Sequence, residues 1–358
     1  MDAAEISGDR VSTTISAAET APTTRAMADD AVFAHIPRGL VLTIVAAVGW
    51  PAWLLSILIG AAALVALCIV AYLRLGVTNF LPWLWDNQAI GMPIVISVAF
   101  FAAWYLDASA EVMLRQMRPA VRLSDDEYNG LAERALRSKW TSTLAYAVLA
   151  VLLGPVAWYA ATAHHELVVR GVALVSMAVL ALLVLLAFDA GLRGMKCMKA
   201  VTRAPLDIDI FDTDDLTPIA RLSLRITTAG LMIVVLLAFF WGISETAIAP
   251  FLYAFFIGLS VLSFVMPLWH LHKRMTHIRT RELETIQAMV RAAYDALKHA
   301  PDGERHRRAE TLSYLIQAET RIAGARTWPY DFQLLGQFAA VLLVPLGVAT
   351  FQVFLNRL

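Results

Sequence analysis

Long apolar runs without a single charged side chain are the dominant pattern of this sequence. An α-helix rises about 1.5 Å per residue, so about 20 residues cross a hydrocarbon layer about 30 Å thick. A soluble helix of that length would carry a polar face, which these runs lack. The pattern therefore predicts an all-α integral membrane protein. The charge-free runs are Ile90 to Leu106, Leu144 to Ala163, Gly171 to Phe188, Ile226 to Ile243, Ile248 to Trp269 and Leu334 to Leu355.

The first apolar region, residues 39–73, is too long for one perpendicular span and carries Gly49-Trp50-Pro51 near its middle. Proline lacks a backbone donor and clashes with the preceding turn, so the sequence predicts a break at Pro51. We favour an interfacial helix over residues 38–50 followed by a span over residues 52–72. The alternative is a hairpin of two short spans, each about a third too short.

Basic residues predict the orientation of the spans, because cytoplasmic loops are enriched in Lys and Arg. With seven spans, every strongly basic connection falls on one side, which places the amino terminus in the cytoplasm and the carboxyl terminus outside. The expected location is the bacterial inner membrane. The basic residues that decide this are Arg115, Arg118, Arg122, Arg134, Arg137, Lys139, Arg193, Lys196, Lys199, Arg203 and the many that lie between His270 and Thr327.

Composition and span count together predict four regions along the chain. Residues 1–36 are rich in Ala, Ser, Thr and acidic residues, which is typical of a disordered cytoplasmic tail. The other predicted regions are spans one to six in residues 37–270, with cytoplasmic loops at 107–140 and 193–221, a cytoplasmic helical hairpin in residues 271–327, and the seventh span in residues 328–358.

Composition and motifs exclude several classes of function. The net charge is zero, so nothing indicates a nucleic-acid partner. The sequence has no P-loop, nucleotide fingerprint, metalloprotease helix or nucleophile elbow, and we expect no enzymatic activity and no cofactor. No acidic residue lies within the runs, and the nearest ones are Asp107, Glu111 and Asp189, at predicted cytoplasmic ends. Because Asp189 precedes Arg193 by one helical turn, we predict a local ion pair between them.

The predicted cytoplasmic hairpin has one apolar stripe on each of its two helices. Ala300-Pro301-Asp302-Gly303 is a turn signal between the stripes. The interpretation that we favour is a hairpin that buries its stripes on itself. The alternative is a contact with a second subunit of a homo-oligomer or with a cytosolic protein. Candidate contact residues are Ile286, Val290, Leu297, Leu312 and Ile316.

An acidic segment, residues 205–215, alternates apolar and acidic residues before the fifth predicted span. The period of two suits a short extended segment on an apolar surface. Its carboxylates are weak candidates for binding a hard cation, because the segment lacks the glycine turn and the late Glu of a calcium loop. The weak metal candidates are Asp207, Asp209 and Asp212.

The last predicted span holds more amide side chains than any other span. An amide in a lipid environment needs a partner, so its face is expected to look toward protein or water. The favoured interpretation is hydrogen bonding between helices, and the alternative is a pore lining with Phe338 in an apolar constriction. The pore-lining candidates are Gln333, Gln337, Phe338, Thr350 and Gln352.

The layout of the chain resembles the insect olfactory and gustatory receptor-like ion channels, in its seven spans, cytoplasmic amino terminus, long inner loops and final span after a cytoplasmic helical region. Pro205 to Phe211 and Trp328-Pro329-Tyr330-Asp331 also resemble stretches of uncharacterised bacterial polytopic membrane proteins. The first resemblance implies an oligomeric channel whose last helix lines the pore and whose cytoplasmic helices join the subunits. The alternative function is a non-catalytic membrane scaffold or accessory subunit whose hairpin docks a cytosolic protein.

Overall fold

Helices make up nearly all of the chain that the structure, a computed structural model, describes. The described residues are 39–84, 87–138, 140–161, 167–206, 214–241, 248–325, 328 and 332–355, all within the unit Arg38–Leu358. In them, β structure is limited to an isolated antiparallel bridge between Val121 and Leu206. The all-α prediction is therefore confirmed. The helices are α1 (Leu40–Val48), α2 (Ala52–Leu84), α3 (Asn87–Met117), α4 (Asp125–Leu136), α5 (Trp140–Ala161), α6 (Leu167–Arg203), α7 (Thr217–Trp241), α8 (Ile248–Lys298), α9 (Asp302–Gly324) and α10 (Phe332–Leu355).

Several helices have the length and composition of membrane spans. Among the described residues, four segments are long and apolar enough to cross a membrane, and a shorter apolar segment, Gln333–Val344, lies in α10. The prediction of a helical membrane protein is confirmed at this level. The four segments are Ala52–Leu73 in α2, Ile90–Met117 in α3, Leu174–Arg203 in α6 and Thr217–Ala238 in α7.

The first apolar region folds as a short helix, a break and a long helix. Helix α1 has nine residues and ends at Gly49, whose φ of 71° is the left-handed conformation that glycine adopts without a steric penalty. Pro51 then precedes the first residue of α2. Nine residues cover about 14 Å, less than half of a hydrocarbon layer. Helix α1 is therefore too short to span, as the favoured interpretation requires.

Two helices, α3 and α7, form the centre of the bundle. Helix α3 packs against α1, α2, α6 and α7, and α7 packs against α3, α6, α8 and α10. Of the most apolar window of each helix, 61% is buried in α3 and 56% in α7, against 17% in α2. Helix α2 therefore presents most of its surface outward, as a lipid-facing helix does.

Hydroxyl groups join α7 to α8 inside the bundle. Ser223 Oγ donates to the carbonyl of Phe264 at 2.9 Å, and Thr227 Oγ1 donates to the carbonyl of Ser260 at 3.1 Å. Both donors are fully buried. In an apolar environment such hydrogen bonds between helices replace the lost hydration of the polar groups, and small side chains let the two backbones approach closely.

The helices continue beyond the charge-free runs. Helix α3 extends to Met117, α4 fills residues 125–136, and α6 extends to Arg203. The connections expected at 107–140 and 193–221 are therefore largely helical, because charged side chains can continue a helix when they pair along it, as Arg115 does with Glu111 at 3.3 Å. Helix α8 also continues through Pro267, well beyond the charge-free run that ends at Trp269.

Beyond Pro267, α8 packs antiparallel against α9. Arg308 Nη1 donates to the carbonyl of Ala296 at 2.8 Å, and farther from the turn Gln287 Nε2 donates to Glu319 Oε1 at 3.0 Å. The two helices join through a short turn that ends at Pro301, the residue before α9. We call residues 276–324 the arm.

The start of α4 offers a test of local stability. Ser124 and Glu127 form a capping box, in which Glu127 Oε2 accepts from the Ser124 backbone N–H at 3.1 Å and from its hydroxyl at 2.9 Å. These hydrogen bonds favour the carboxylate and lower the pKa of Glu127 below its usual value. The stabilisation is complete above the pKa of the unfolded state and is lost as the pH falls through the folded-state pKa.

We predict that Ser124→Ala raises the exchange rate of the α4 amide protons about fivefold at neutral pH, since a lost cap exposes the first turn. The difference in exchange rate between this variant and the unmodified chain should become smaller at acidic pH, once both rates are corrected for the intrinsic rates of amide exchange. Asp126→Asn is the control, because it removes a charge in the same turn but leaves the capping box intact. Equal rates for the two variants would contradict this account.

Candidate functional site

A buried cluster of three charged side chains lies where α3 meets α6. The guanidinium group of Arg193 donates to both carboxylate oxygens of Asp107, with Nη2 at 2.8 Å from Oδ1 and 3.0 Å from Oδ2. Its Nη1 also pairs with Asp189 one turn earlier on α6. The three residues are only 6–8% exposed. Arg193 thus satisfies two carboxylates that α3 and α6 bring together.

Two further segments enclose this cluster. On α5, the Tyr146 hydroxyl donates to Asp189 Oδ1 at 3.0 Å. At the start of α1, a β-carbon on Gly39 would lie 2.7 Å from Arg193 Nη2 and closer still to Asp107, so a larger residue would displace the two paired side chains. The cluster therefore links α1, α3, α5 and α6 at a site that is largely shielded from solvent.

The chemistry of the cluster is that of a structural ion pair. Intramembrane charges that relay protons or ions line a water-filled path, whereas these charges are mutually satisfied and enclosed. The predicted pair of Asp189 with Arg193 is confirmed. Sequence reasoning missed Asp107 as the second acceptor, because 86 residues separate it from Arg193. The sequence contained one signal for this pair. Asp107 is a carboxylate at the end of a charge-free run, and a carboxylate in that position requires a partner.

The pore-lining candidates lie on α10, which packs against α7. Leu334 is buried, and the Phe338 ring stacks on the Phe264 ring of α8 with centroids 4.1 Å apart. Gln333 and Gln337 lie one turn apart on another face and are exposed. The structure thus separates the amides from Phe338. Thr350 and Gln352 belong to the same helix, but their side chains lie outside the described residues.

The contact candidates of the arm are half-buried rather than enclosed. Ile286, Val290, Leu297 and Leu312 keep intermediate exposure, and 47% of Ile316 is accessible. In the described residues, α9 packs against α8 and has no comparable contact with another helix. The two stripes therefore cover each other only in part. Other large side chains of the arm are also at least half exposed, namely Met289, Tyr294 and Tyr314.

The weak metal candidates, Asp207, Asp209 and Asp212, lie outside the described residues. Just before them, the Arg122 backbone N–H donates to the carbonyl of Pro205 at 2.8 Å. Within the part of the chain that the structure describes, no group of three or more His, Cys, Asp or Glu side chains could hold a metal ion.

Comparisons of this chain with models of protein families, with curated proteins and with solved structures find no match. Functional inference therefore starts from the geometry of the chain itself.

The buried cluster predicts a large effect of removing its only cation. Arg193→Met leaves two buried carboxylates without a counterion, so we expect a loss of about 3–5 kcal/mol in the free energy of unfolding. Reversible denaturation in detergent measures this loss. Lys196→Met is the matched control, because Lys196 is exposed on the next turn of α6.

A second variant separates the loss of stability that unpaired charge causes from the loss that missing packing contacts cause. If Asp107 and Asp189 are also changed to Asn, the buried charges disappear together, and much of the lost stability should return. An Arg193→Met chain as stable as Lys196→Met would contradict the proposed role of the cluster.

Proposed function

We propose that this chain is a subunit of an oligomeric, channel-like membrane protein whose last helix lines the conduction path. The observation that carries the proposal is the exposure of Gln333 and Gln337 on α10, outside the single chain. An amide facing hydrocarbon lacks hydrogen-bond partners, so this face requires a second subunit or water. Copies of the chain arranged around an axis provide both.

The packing of α10 supports this orientation. Leu334 and Phe338, one turn apart, hold α10 against the rest of the chain, and Phe338 stacks on Phe264. This anchoring fixes the rotation of the helix, so that the amides point away from the bundle. In the proposed oligomer, the amides face the axis while Phe338 supports the lining helix from behind.

The proposed topology has seven spans, formed by α2, α3, α5, α6, α7, the first half of α8 and α10. The amino terminus is cytoplasmic, the carboxyl terminus is outside, and the arm extends into the cytoplasm of a bacterium. Aromatic side chains support an interface at the base of the arm, where the rings of Trp269 and Trp328 lie 6.3 Å apart and His272 stacks on Trp328. The likeness of layout to insect chemoreceptor channels supports the same arrangement.

Conductance measurements test this proposal. Purified protein in liposomes should conduct ions, and Gln337→Leu should change the unitary conductance about tenfold, because it replaces a polar lining group by an apolar one. Gln317→Leu is the matched control, since Gln317 is an exposed amide on α9, in the arm. Both variants should elute and unfold like the unmodified protein. A monomer that leaves bilayers silent would contradict the proposal.

A second candidate function is a non-catalytic scaffold or accessory subunit that docks a cytosolic protein through the arm. The observation that favours it is the incomplete burial of the arm, in which Ile316, Tyr294 and Tyr314 remain 47–64% exposed. An apolar surface of this kind on a helical pair fits another helical pair. In the channel proposal the same surface joins subunits.

Substitution at Ile316 distinguishes the two candidates. If the arm joins subunits, Ile316→Glu should convert the oligomer to monomers, because it buries a charge in an apolar contact. Mass measurement in detergent gives the oligomeric state. Gln317→Glu is the control, since it adds the same charge next to that contact. Under the scaffold proposal the unmodified protein and both variants are monomeric. Deletion of residues 276–326 then removes a bound cytosolic protein but does not prevent membrane insertion.

A further inference from the structure

An apolar groove of about 350 Å³ runs between α6 and α8, with α7 as its floor. All of its lining residues are apolar except Ser260 and Ser263. The Ser263 hydroxyl donates to the carbonyl of Ser260 at 2.7 Å, so this polar group is already satisfied. Because the groove is apolar and open along its side, we expect an apolar group from the surroundings to fill it when the chain lies in a membrane.

Small residues create the groove. Ala187 and Gly191 of α6 and Ala229 and Gly230 of α7 all belong to the lining. Larger side chains form the rim, where Phe188 of α6 is 46% exposed and the α8 residues Leu262 and Met266 are 55% and 49% exposed. The groove is thus deep at its floor and open along its side.

The length and depth of the groove match one leaflet of a bilayer. Its lining extends over 12 residues on α6, from Val184 to Met195, and over 12 residues on α7, from Ile226 to Leu237. At 1.5 Å per residue, each distance is about 16 Å, close to half of a 30 Å hydrocarbon layer. Both stretches lie within segments that are long and apolar enough to span a membrane.

The two ends of the groove differ in charge. Beyond Met195, the same face of α6 continues to Lys199, and beyond Met266 the same face of α8 continues to Lys273; both lysines are exposed. Arg274 Nη1 donates to the carbonyl of Ala204 at 2.8 Å, which holds this part of α8 beside the end of α6. The two lysines therefore stand at one end of the groove.

Aromatic contacts place this end at the depth of lipid headgroups. Lys273 Nζ lies 5.8 Å from the centre of the Trp269 ring, which is itself 45% exposed. Trp and Lys together are typical of the membrane interface. The other end lies within the charge-free runs of residues 171–188, 226–243 and 248–269. One end therefore fits an anionic group, and the rest of the groove fits hydrocarbon.

We propose that the groove between α6 and α8 binds one acyl chain of an anionic phospholipid from the surrounding bilayer, with the headgroup phosphate held at Lys199 and Lys273. The site is distinct from the exposed face of α10 and from the arm, so it does not depend on conduction or on partner binding. Its occupant comes from the leaflet on the basic side of the protein.

Native mass spectrometry of the full chain in detergent tests the proposal. Phosphatidylglycerol and phosphatidylcholine with identical acyl chains are the two probes. The unmodified protein should retain phosphatidylglycerol in preference to phosphatidylcholine. Ala229→Phe should lose the retained lipid, because its ring fills the floor of the groove. Met232→Phe is the matched control, since Met232 lies on the same helix, is 52% exposed and does not line the groove.

The headgroup contact has a test of its own. Lys199→Gln and Lys273→Gln should each weaken phosphatidylglycerol binding about fivefold and phosphatidylcholine binding less, because each removes one cation near the phosphate and only phosphatidylglycerol has a net negative charge. Lys196→Gln is the control, since Lys196 is exposed and lies about 100° around α6 from Met195, the last lining residue of that helix. Equal losses for both lipids would overturn the assigned headgroup position.

Other occupants give different results. If a second copy of the chain fills the groove, Ala229→Phe reduces the oligomeric mass but leaves the lipid count per chain unchanged, which overturns the proposal. Retention of lipid by Ala229→Phe at the level of Met232→Phe also overturns it. If Ala229→Phe fails to fold, Ala187→Phe fills the groove from α6 and must give the same loss of lipid.

Discussion

The requirement that every buried charge have a partner underlies the arrangement of the bundle. Arg193 binds Asp107 of α3 and Asp189 of its own helix, while Tyr146 of α5 and the backbone at Gly39 close the cluster. Without these partners each charge would have to be hydrated at a depth where water is scarce. Four helical segments are held in a fixed relation by this single cluster, and α7 packs on the frame that they form.

Features of the fold were predictable from the sequence where they depend on residues that are neighbours in the chain. The break at Gly49 and Pro51 and the turn at Pro301 were predictable, because each depends on a few adjacent residues. The pair of Asp189 with Arg193 was predictable for the same reason. The pair of Asp107 with Arg193 was not, since it joins two helices that are distant in the sequence.

The candidate sites depend even more on contacts between residues that are distant in the sequence. Sequence alone picked out the amides of the last span, but not which face Phe338 would occupy, because its stacking on Phe264 joins two distant helices. The acyl-chain groove had no sequence signature at all. Alanines and glycines are common in apolar helices, and only the pairing of α6 with α7 places Ala187, Gly191, Ala229 and Gly230 around one space. Such features are properties of the fold and cannot be read from spacing.

Helix α8 connects the parts of the molecule that carry the proposals. Its first half lines the groove and supports α10, and its second half forms the arm. Pro267 removes one backbone hydrogen bond between these halves, which would weaken the connection in an isolated helix. The next turns compensate, because Leu268, Leu271 and Met275 are fully buried, and Arg274 binds the end of α6. The base of the arm is therefore fixed to the bundle by packing as well as by the helix backbone.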